Sequence, residues 1–258
     1  MLDKLAAVSQ IRGLYDLKED LSIKKNYILC VKQGSKYSSD YVNRLYNMCK
    51  RHCTEDYKFV CITDDPTGIN PDIIIKMLPS ELKGWWSKLY MFNPDLGLTG
   101  NILYLDLDVV VNSDLSKLFN YEYSKWCIVR DFLRHIRPLW NRYNSSVIRF
   151  RSNQLNFIWD HYKDNMKAVE HHYPGDQDYI YAMTKDTMPA TFFPDKWIVS
   201  WKWEVRESSK LDYSKTKGNR RLLTTEDVTP VEENAICVFH GEPNPDMCND
   251  PWVVDHWV

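Results

Sequence analysis

Asn101-Ile102-Leu103-Tyr104-Leu105-Asp106-Leu107-Asp108 is the stretch on which the reading of this chain turns. Ile102 to Leu105 is an unbroken apolar run, the composition required of a strand buried on both faces. Two carboxylates close it, and desolvated charge is costly enough that such a pair calls for compensation. In a regular strand the outer residues of D-x-D point to opposite sides. Where the strand ends and the backbone turns, both can converge on one hard cation. Oxygen ligands suit Mn2+ or Mg2+, and a bound diphosphate would complete the shell. The alternative is a pair of strand-end capping carboxylates.

Working outward, the preceding hundred or so residues alternate strands with helices. Tyr27-Ile28-Leu29-Cys30-Val31 predicts a first buried strand, broken by Gly34-Ser35. Ser38-Ser39-Asp40 can cap a helix over Tyr41 to His52, with Val42, Leu45, Tyr46 and Cys49 on one face. Lys58 to Thr63 predicts a second strand, Asp72 to Lys76 a third, and Trp85 to Phe92 a helix that stops before Asn93-Pro94. The metal strand is then the fourth. After it, Trp126 to Val129 and Ser146 to Phe150 read as strands and Gln154 to Ala168 as a helix. From Thr184 onward the pattern is loop-rich and aromatic. This order predicts an α/β fold around a mostly parallel central sheet flanked by helices. In such sheets ligands collect at the carboxyl ends of the strands, where Asp106 and Asp108 stand.

With 258 residues and no repeat or low-complexity linker, a single domain over 1–258 is expected. Its parts are an N-terminal helical appendage over 1–25, a first half over 27–111 that carries the acidic strand, and a second half over 112–258. The net charge of −2 argues against a general nucleic-acid or membrane-surface binder, so any anion site must be a local cluster. Seven scattered cysteines fit free thiols in a reducing compartment. Cys49, His52 and Cys53, with no second pair, are weak evidence for zinc. Neither a signal-peptide pattern nor a stretch of about 20 apolar residues is present, so a cytoplasmic location is expected. Lys202 to Arg221 reads as a basic loop.

Two enzyme classes place D-x-D after an apolar strand. Haloacid-dehalogenase-like phosphatases use the first Asp as a nucleophile, but they carry the motif on the first core strand and need a later Gly-Asp-x-x-x-Asp. Here Gly175-Asp176 begins that pattern and Ile180 stands where its second Asp belongs. The other class covers most of the chain. Gly84-Trp85-Trp86-Ser87-Lys88-Leu89, the metal strand, Tyr143-Asn144-Ser145-Ser146-Val147, Asp176-Gln177-Asp178, and Phe239-His240-Gly241 before Pro251-Trp252 follow one another in order. This series resembles the GT-A fold nucleotide-sugar glycosyltransferases of family 8 and related bacterial and viral enzymes.

The resemblance implies a Rossmann-type GT-A sheet and transfer from a nucleotide-sugar donor, a UDP-sugar at the level of the family, to a glycan, protein or small-molecule hydroxyl. It implies Mn2+ or Mg2+ held by Asp106, Asp108 and His240, with Asp176 and Gln177 at the donor sugar and a retaining outcome. Asn144 would meet sugar hydroxyls, and Lys88 would pair with the diphosphate. The C-terminal element lacks the family's diphosphate lysine, for which Lys88, Lys202 and Arg206 are candidates. Ser146 in place of the family's glycine suggests a tighter sugar pocket. Trp197, Trp201, Trp203 and Trp252 are candidate walls of an acceptor groove. A sugar- or nucleotide-binding protein without turnover is a third possibility.

Overall fold

The computed structural model describes residues 25–135, 137–205 and 233–258. Residues 1–24 of the appendage expected over 1–25, Arg206 and the rest of the basic stretch to Arg221 lie outside the described residues.

The first half follows the expected order. Strand β1 (Asn26–Lys32) leads into helix α1 (Ser39–His52), then β2 (Tyr57–Thr63), β3 (Ile74–Met77) and β4 (Asn101–Leu105). Helix α1 buries Tyr41, Val42, Leu45, Met48 and Cys49, a stripe at helical spacing. Asp40 in its first turn and Lys50, Arg51 and His52 in its last complement the helix dipole. Ser38 occupies the N-cap position but makes no side-chain capping bond.

One expectation needs correction. The strand expected to end on Asp106 and Asp108 does not continue to Asp108: β4 stops at Leu105, and Leu107-Asp108 form a turn. The chain restarts as β5 (Val109–Val111), which belongs to a different sheet. Short helix α2 (Ser116–Asn120) follows, then β6 (Cys127–Arg130), β7 (Tyr143–Arg151), α3 (Asn156–His172) and α4 (Asp176–Thr184). The rest comprises β8 (Thr191–Phe192), β9 (Ile198–Ser200), β10 (Ile236–Val238) and α5 (Pro251–His256).

The large sheet has the order β3-β2-β1-β4-β7-β6-β8, and β7 alone runs against its neighbours. The expected mostly parallel α/β sheet is therefore present. Strand β4 lies at its centre, and its alternate residues feed two cores. Ile102 and Tyr104 join α3, α4 and the 84–92 segment; Leu103 and Leu105 join α1 and the small sheet. That small sheet, ordered β5-β10-β9, packs into the same core as α1 and α5.

The segment expected as a helix over Trp85–Phe92 is 3-10 helical over Gly84–Phe92 and ends, as anticipated, before Pro94. Its period of three puts Trp86, Leu89 and Phe92 on one buried face. The tryptophans assigned to an acceptor groove are mostly core instead. Trp201, Trp203 and Trp252 are buried, and Trp201 stacks on Phe239. Trp197 is partly buried against Tyr121, with Lys117 over its ring. All seven cysteines are free, and no described helix is long and apolar enough to cross a membrane.

Candidate active site

Period-two alternation along β4 turns Asp106 to the same side as Tyr104, toward the 84–92 segment and α4. There it meets Lys88, whose Nζ lies 2.8 Å from Asp106 Oδ1 and 3.6 Å from Asp176 Oδ2. Tyr104 OH donates to Asp106 Oδ1 at 2.6 Å. Ser145 Oγ donates to Asp176 Oδ2 at 2.6 Å and lies 3.2 Å from Lys88 Nζ. Three elements distant in sequence are thus tied together by one ammonium group. Burial alone would push the Lys88 ammonium down, but Asp106 and Asp176 outweigh it and hold it above the ordinary lysine value. The Tyr104 hydroxyl is pushed well up, first by burial and then by the Asp106 charge.

Asp108 lies beyond the turn and answers to different neighbours. Tyr37 OH, from the loop after β1, donates to its Oδ2 at 3.2 Å. Its backbone carbonyl accepts Phe239 N–H at 3.1 Å, so the small sheet fixes the turn. The carboxyl is held above the usual range by burial and next by the Asp106 charge; Lys88, Lys36 and Tyr37 offset this only in part. Asp108 is therefore left without full compensation by positive charge, which is the electrostatic condition a hard divalent cation relieves.

His240 sits just past β10 in the left-handed region, at φ 32, with Gly241 at φ 97 after it. A non-glycine residue held there is strained, and such strain clusters at functional positions. The ring stacks on Phe132 at 5.1 Å, and its Nε2 lies 2.6 Å from Ser200 Oγ. Ser200 Oγ accepts the Trp203 N–H at 3.3 Å and can place its own proton on Nε2. Burial, then the nearby Lys202, depresses the imidazole to about 3. Among the described residues no three His, Cys, Asp or Glu side chains gather to hold a metal. The expected three-ligand set is therefore not assembled: Nε2 faces Ser200. The acidic pair fits a hard cation by its donor chemistry and its charge deficit.

Because its folded value lies below its unfolded one, His240 costs stability as pH falls: from pH 6.5 toward 3 the unfolded chain takes up a proton that the folded one refuses. His240→Gln should remove that contribution, so the variant loses less stability than wild type between those pH values. Thermal melting across pH in EDTA checks this, and identical slopes would contradict it.

The remaining sequence candidates divide by what their side chains are doing. Asp176 opens α4, where a carboxylate complements the dipole, and its Oδ1 accepts no hydrogen bond among the described residues. Gln177 is partly buried, and its amide likewise has no partner among the described residues. Asn144 Oδ1 accepts Ser146 N–H at 3.1 Å, which leaves the NH2 group to donate. Lys88, expected at the diphosphate, has its charge occupied by two carboxylates. Lys202 donates to the His240 carbonyl at 3.1 Å and its ammonium is lowered by burial, against the pull of Asp108 and Glu242. Ile180 is fully buried, so the acid a phosphatase would need is replaced by core.

Sequence reasoning missed Tyr37, Tyr104 and Ser145. Tyr104 was detectable, since it stands two residues before Asp106 in a strand. Ser145 and Tyr37 carry no local signal, because their roles come from elements brought together only by the sheet.

No protein-family model and no curated protein matches the sequence. Solved structures do match its fold. The glycosyltransferase GlyE of Streptococcus pneumoniae TIGR4 is 14% identical with a TM-score of 0.58, covering 85% of this chain and 56% of GlyE. The chain thus spans little more than half of that protein. An active-site mutant of LgtC is 14% identical with a TM-score of 0.59, covering 89% of this chain and 93% of LgtC. LgtC is a galactosyltransferase; in complex with donor and acceptor sugar analogs it matches with a TM-score of 0.52 at 14% identity, covering 85% of this chain and 88% of LgtC. At such identity the likeness is one of architecture: the chain has the α/β fold of the glycosyltransferases GlyE and LgtC.

Proposed function

We propose that this chain is a glycosyltransferase that moves a sugar from a UDP-sugar to a hydroxyl acceptor, with retention, assisted by Mn2+ or Mg2+ at Asp106 and Asp108. The observation that carries this reading is the buried network joining Asp106, Lys88, Ser145 and Asp176 at the carboxyl end of β4. It links the acidic turn to the first turn of α4, the two places where a nucleotide sugar must be held at its diphosphate and at its sugar.

In the reaction the bond from the anomeric carbon to the diphosphate oxygen breaks, and the new bond forms to the acceptor oxygen, whose proton is released. Charge builds on the leaving diphosphate and, with opposite sign, on the sugar. A divalent cation at Asp106 and Asp108 would supply Lewis-acid stabilisation of the leaving oxygens. Asp176, fixed through Oδ2 by Ser145 and Lys88, presents Oδ1 to the sugar, where a carboxylate favours an oxocarbenium-like state. Gln177 and the Asn144 amide supply neutral hydrogen bonds to sugar hydroxyls. His240, kept neutral by burial and the nearby Lys202, would be a further ligand for that cation through the Nε2 that now faces Ser200.

The test is a panel of UDP- and GDP-sugars with Mn2+ or EDTA, followed by anomer-resolved NMR. Slow release of sugar from one donor, abolished by EDTA, is expected, with the donor's anomeric configuration kept. Phosphate released from simple phosphate esters and lost in Asp106→Asn would assign a phosphatase instead. Donor binding without turnover would assign a binding protein.

A further inference from the structure

Ten tryptophans are spread through the sequence, yet only Trp85 is a large exposed aromatic among the described residues, at 57% exposure. A single exposed apolar side chain is ordinary. Three features of this one are not. It is held on a rigid mount, it shares a face with the catalytic network, and it lies beside the helix turn that carries Asp176 and Gln177.

The mount follows from the residues around it. Gly84 takes φ 56 and donates its N–H to Gln33 Oε1 at 2.9 Å, which pins the segment to the loop after β1. Ser87 Oγ returns to the Gly84 carbonyl at 2.6 Å. Trp86, next in sequence, is buried and stacks on Tyr162 at 5.9 Å. In a 3-10 helix residues i and i+3 eclipse, so Trp85, Lys88 and Met91 form one stripe. That stripe descends from solvent at Trp85, through Lys88 at the carboxylates, into the core at Met91, which is 2% exposed. A Cβ at Gly175 would lie 3.8 Å from Trp85 Nε1, which places the indole against the residue preceding Asp176. Among the described residues its ring has no aromatic, cationic or hydrogen-bonding partner.

We propose that Trp85 is the stacking platform for the acceptor: the indole face receives the apolar face of a pyranose ring and sets its hydroxyl toward the donor sugar held at Asp176 and Gln177. This rests on the glycosyltransferase reading above. Flat C–H faces of sugars match aromatic faces, and an indole carried on a backbone already held by Gln33 and Ser87 loses less entropy when occupied. The position favours acceptor over donor. Asp176 is 6% exposed and lies inside, whereas Trp85 stands at the rim, where a group can enter and leave while the nucleotide stays bound.

The experiment compares wild type, Trp85→Ala and Trp85→Phe in two assays. Saturation-transfer NMR with glucose, galactose, N-acetylglucosamine and lactose reads sugar binding; donor hydrolysis without acceptor reads the donor site. At least one sugar should bind wild type, weaken about 10-fold or more in Trp85→Ala and recover in Trp85→Phe, with donor hydrolysis within 2-fold throughout, a 10-fold loss corresponding to about 1.4 kcal/mol. Unchanged sugar binding in Trp85→Ala, or no sugar binding to wild type, overturns the proposal. A parallel loss of donor hydrolysis overturns it too, by moving Trp85 to the donor site. Failure of the glycosyltransferase reading registers separately, as absent donor turnover in wild type.

Discussion

Lys88→Met is expected to cost about 3–5 kcal/mol of stability and to lower donor turnover at least 100-fold. The size follows from what is left behind. Among the described residues Lys88 is the one cation in contact with both Asp106 and Asp176, and its side chain is only 17% exposed. Removing it strands two carboxylates that burial has cut off from water, with Tyr104 and Ser145 as their remaining hydrogen-bond donors. Methionine nearly preserves the volume, so the loss reads charge rather than a cavity. The double variant Lys88→Met/Asp106→Asn should recover much of the stability, because one stranded charge is gone, but none of the turnover. Urea unfolding of the four members of this cycle gives the coupling. If Lys88→Met unfolds within 1 kcal/mol of wild type, the network is solvated and the role given to Lys88 is wrong.

Asp108→Asn should move stability and activity in opposite directions. Its carboxyl is held above the ordinary value by burial and by Asp106, so the ionised form opposes folding. The folded chain holds this proton more tightly than the unfolded one. Wild-type stability contributed by this group therefore falls as pH rises from 3.8 through the raised folded value, and stays low at neutral pH. Asparagine has no such term. In EDTA at pH 7 the variant should melt at a higher temperature than wild type, while EDTA-sensitive turnover drops about 100- to 1,000-fold. Mn2+ should raise wild-type stability by about 2.7 kcal/mol at a hundred times its dissociation constant and leave the variant unmoved. Equal stabilisation of both proteins by Mn2+ would remove Asp108 from the cation site.

The parts of the fold legible in the sequence are those that bury strongly patterned surface. The apolar runs at Tyr27 to Val31 and Ile102 to Leu105 could only be interior strands, and both are. What stayed hidden was either too short or a matter of direction. Periodicity does not say which way a strand runs, so the reversal of β7 was invisible. Strands β9 and β10 have three residues each, below the window in which alternation can be seen. Nothing local marks the change of sheet at Val109 to Val111, so β5 was not legible as a separate strand. The 84–92 segment shows apolar spacing compatible with either helix type, and only its core stripe at 86, 89 and 92 separates them. In the site, Asp106, Asp176 and Lys88 were found through their motifs, and their mutual contact was not. Which tryptophans are core could not be read either, since ring count carries no information on which rings face water.

The change of sheet at the acidic turn also bears on how the protein is made. Among the described residues strand β5 pairs only with β10, and β10 joins it to β9. Val109–Val111 leave the ribosome more than a hundred residues ahead of Ile236–Val238. At about 5–20 residues per second the wait is on the order of ten seconds. During synthesis the strands of the large sheet can zip together while Asp108 still lacks the Phe239 N–H that fixes its turn. Ribosome-released fragments ending before Ile236 would keep the large sheet's strands and lose the Phe239 N–H that fixes the Asp108 turn, so the acidic turn is completed only after β10 has been made.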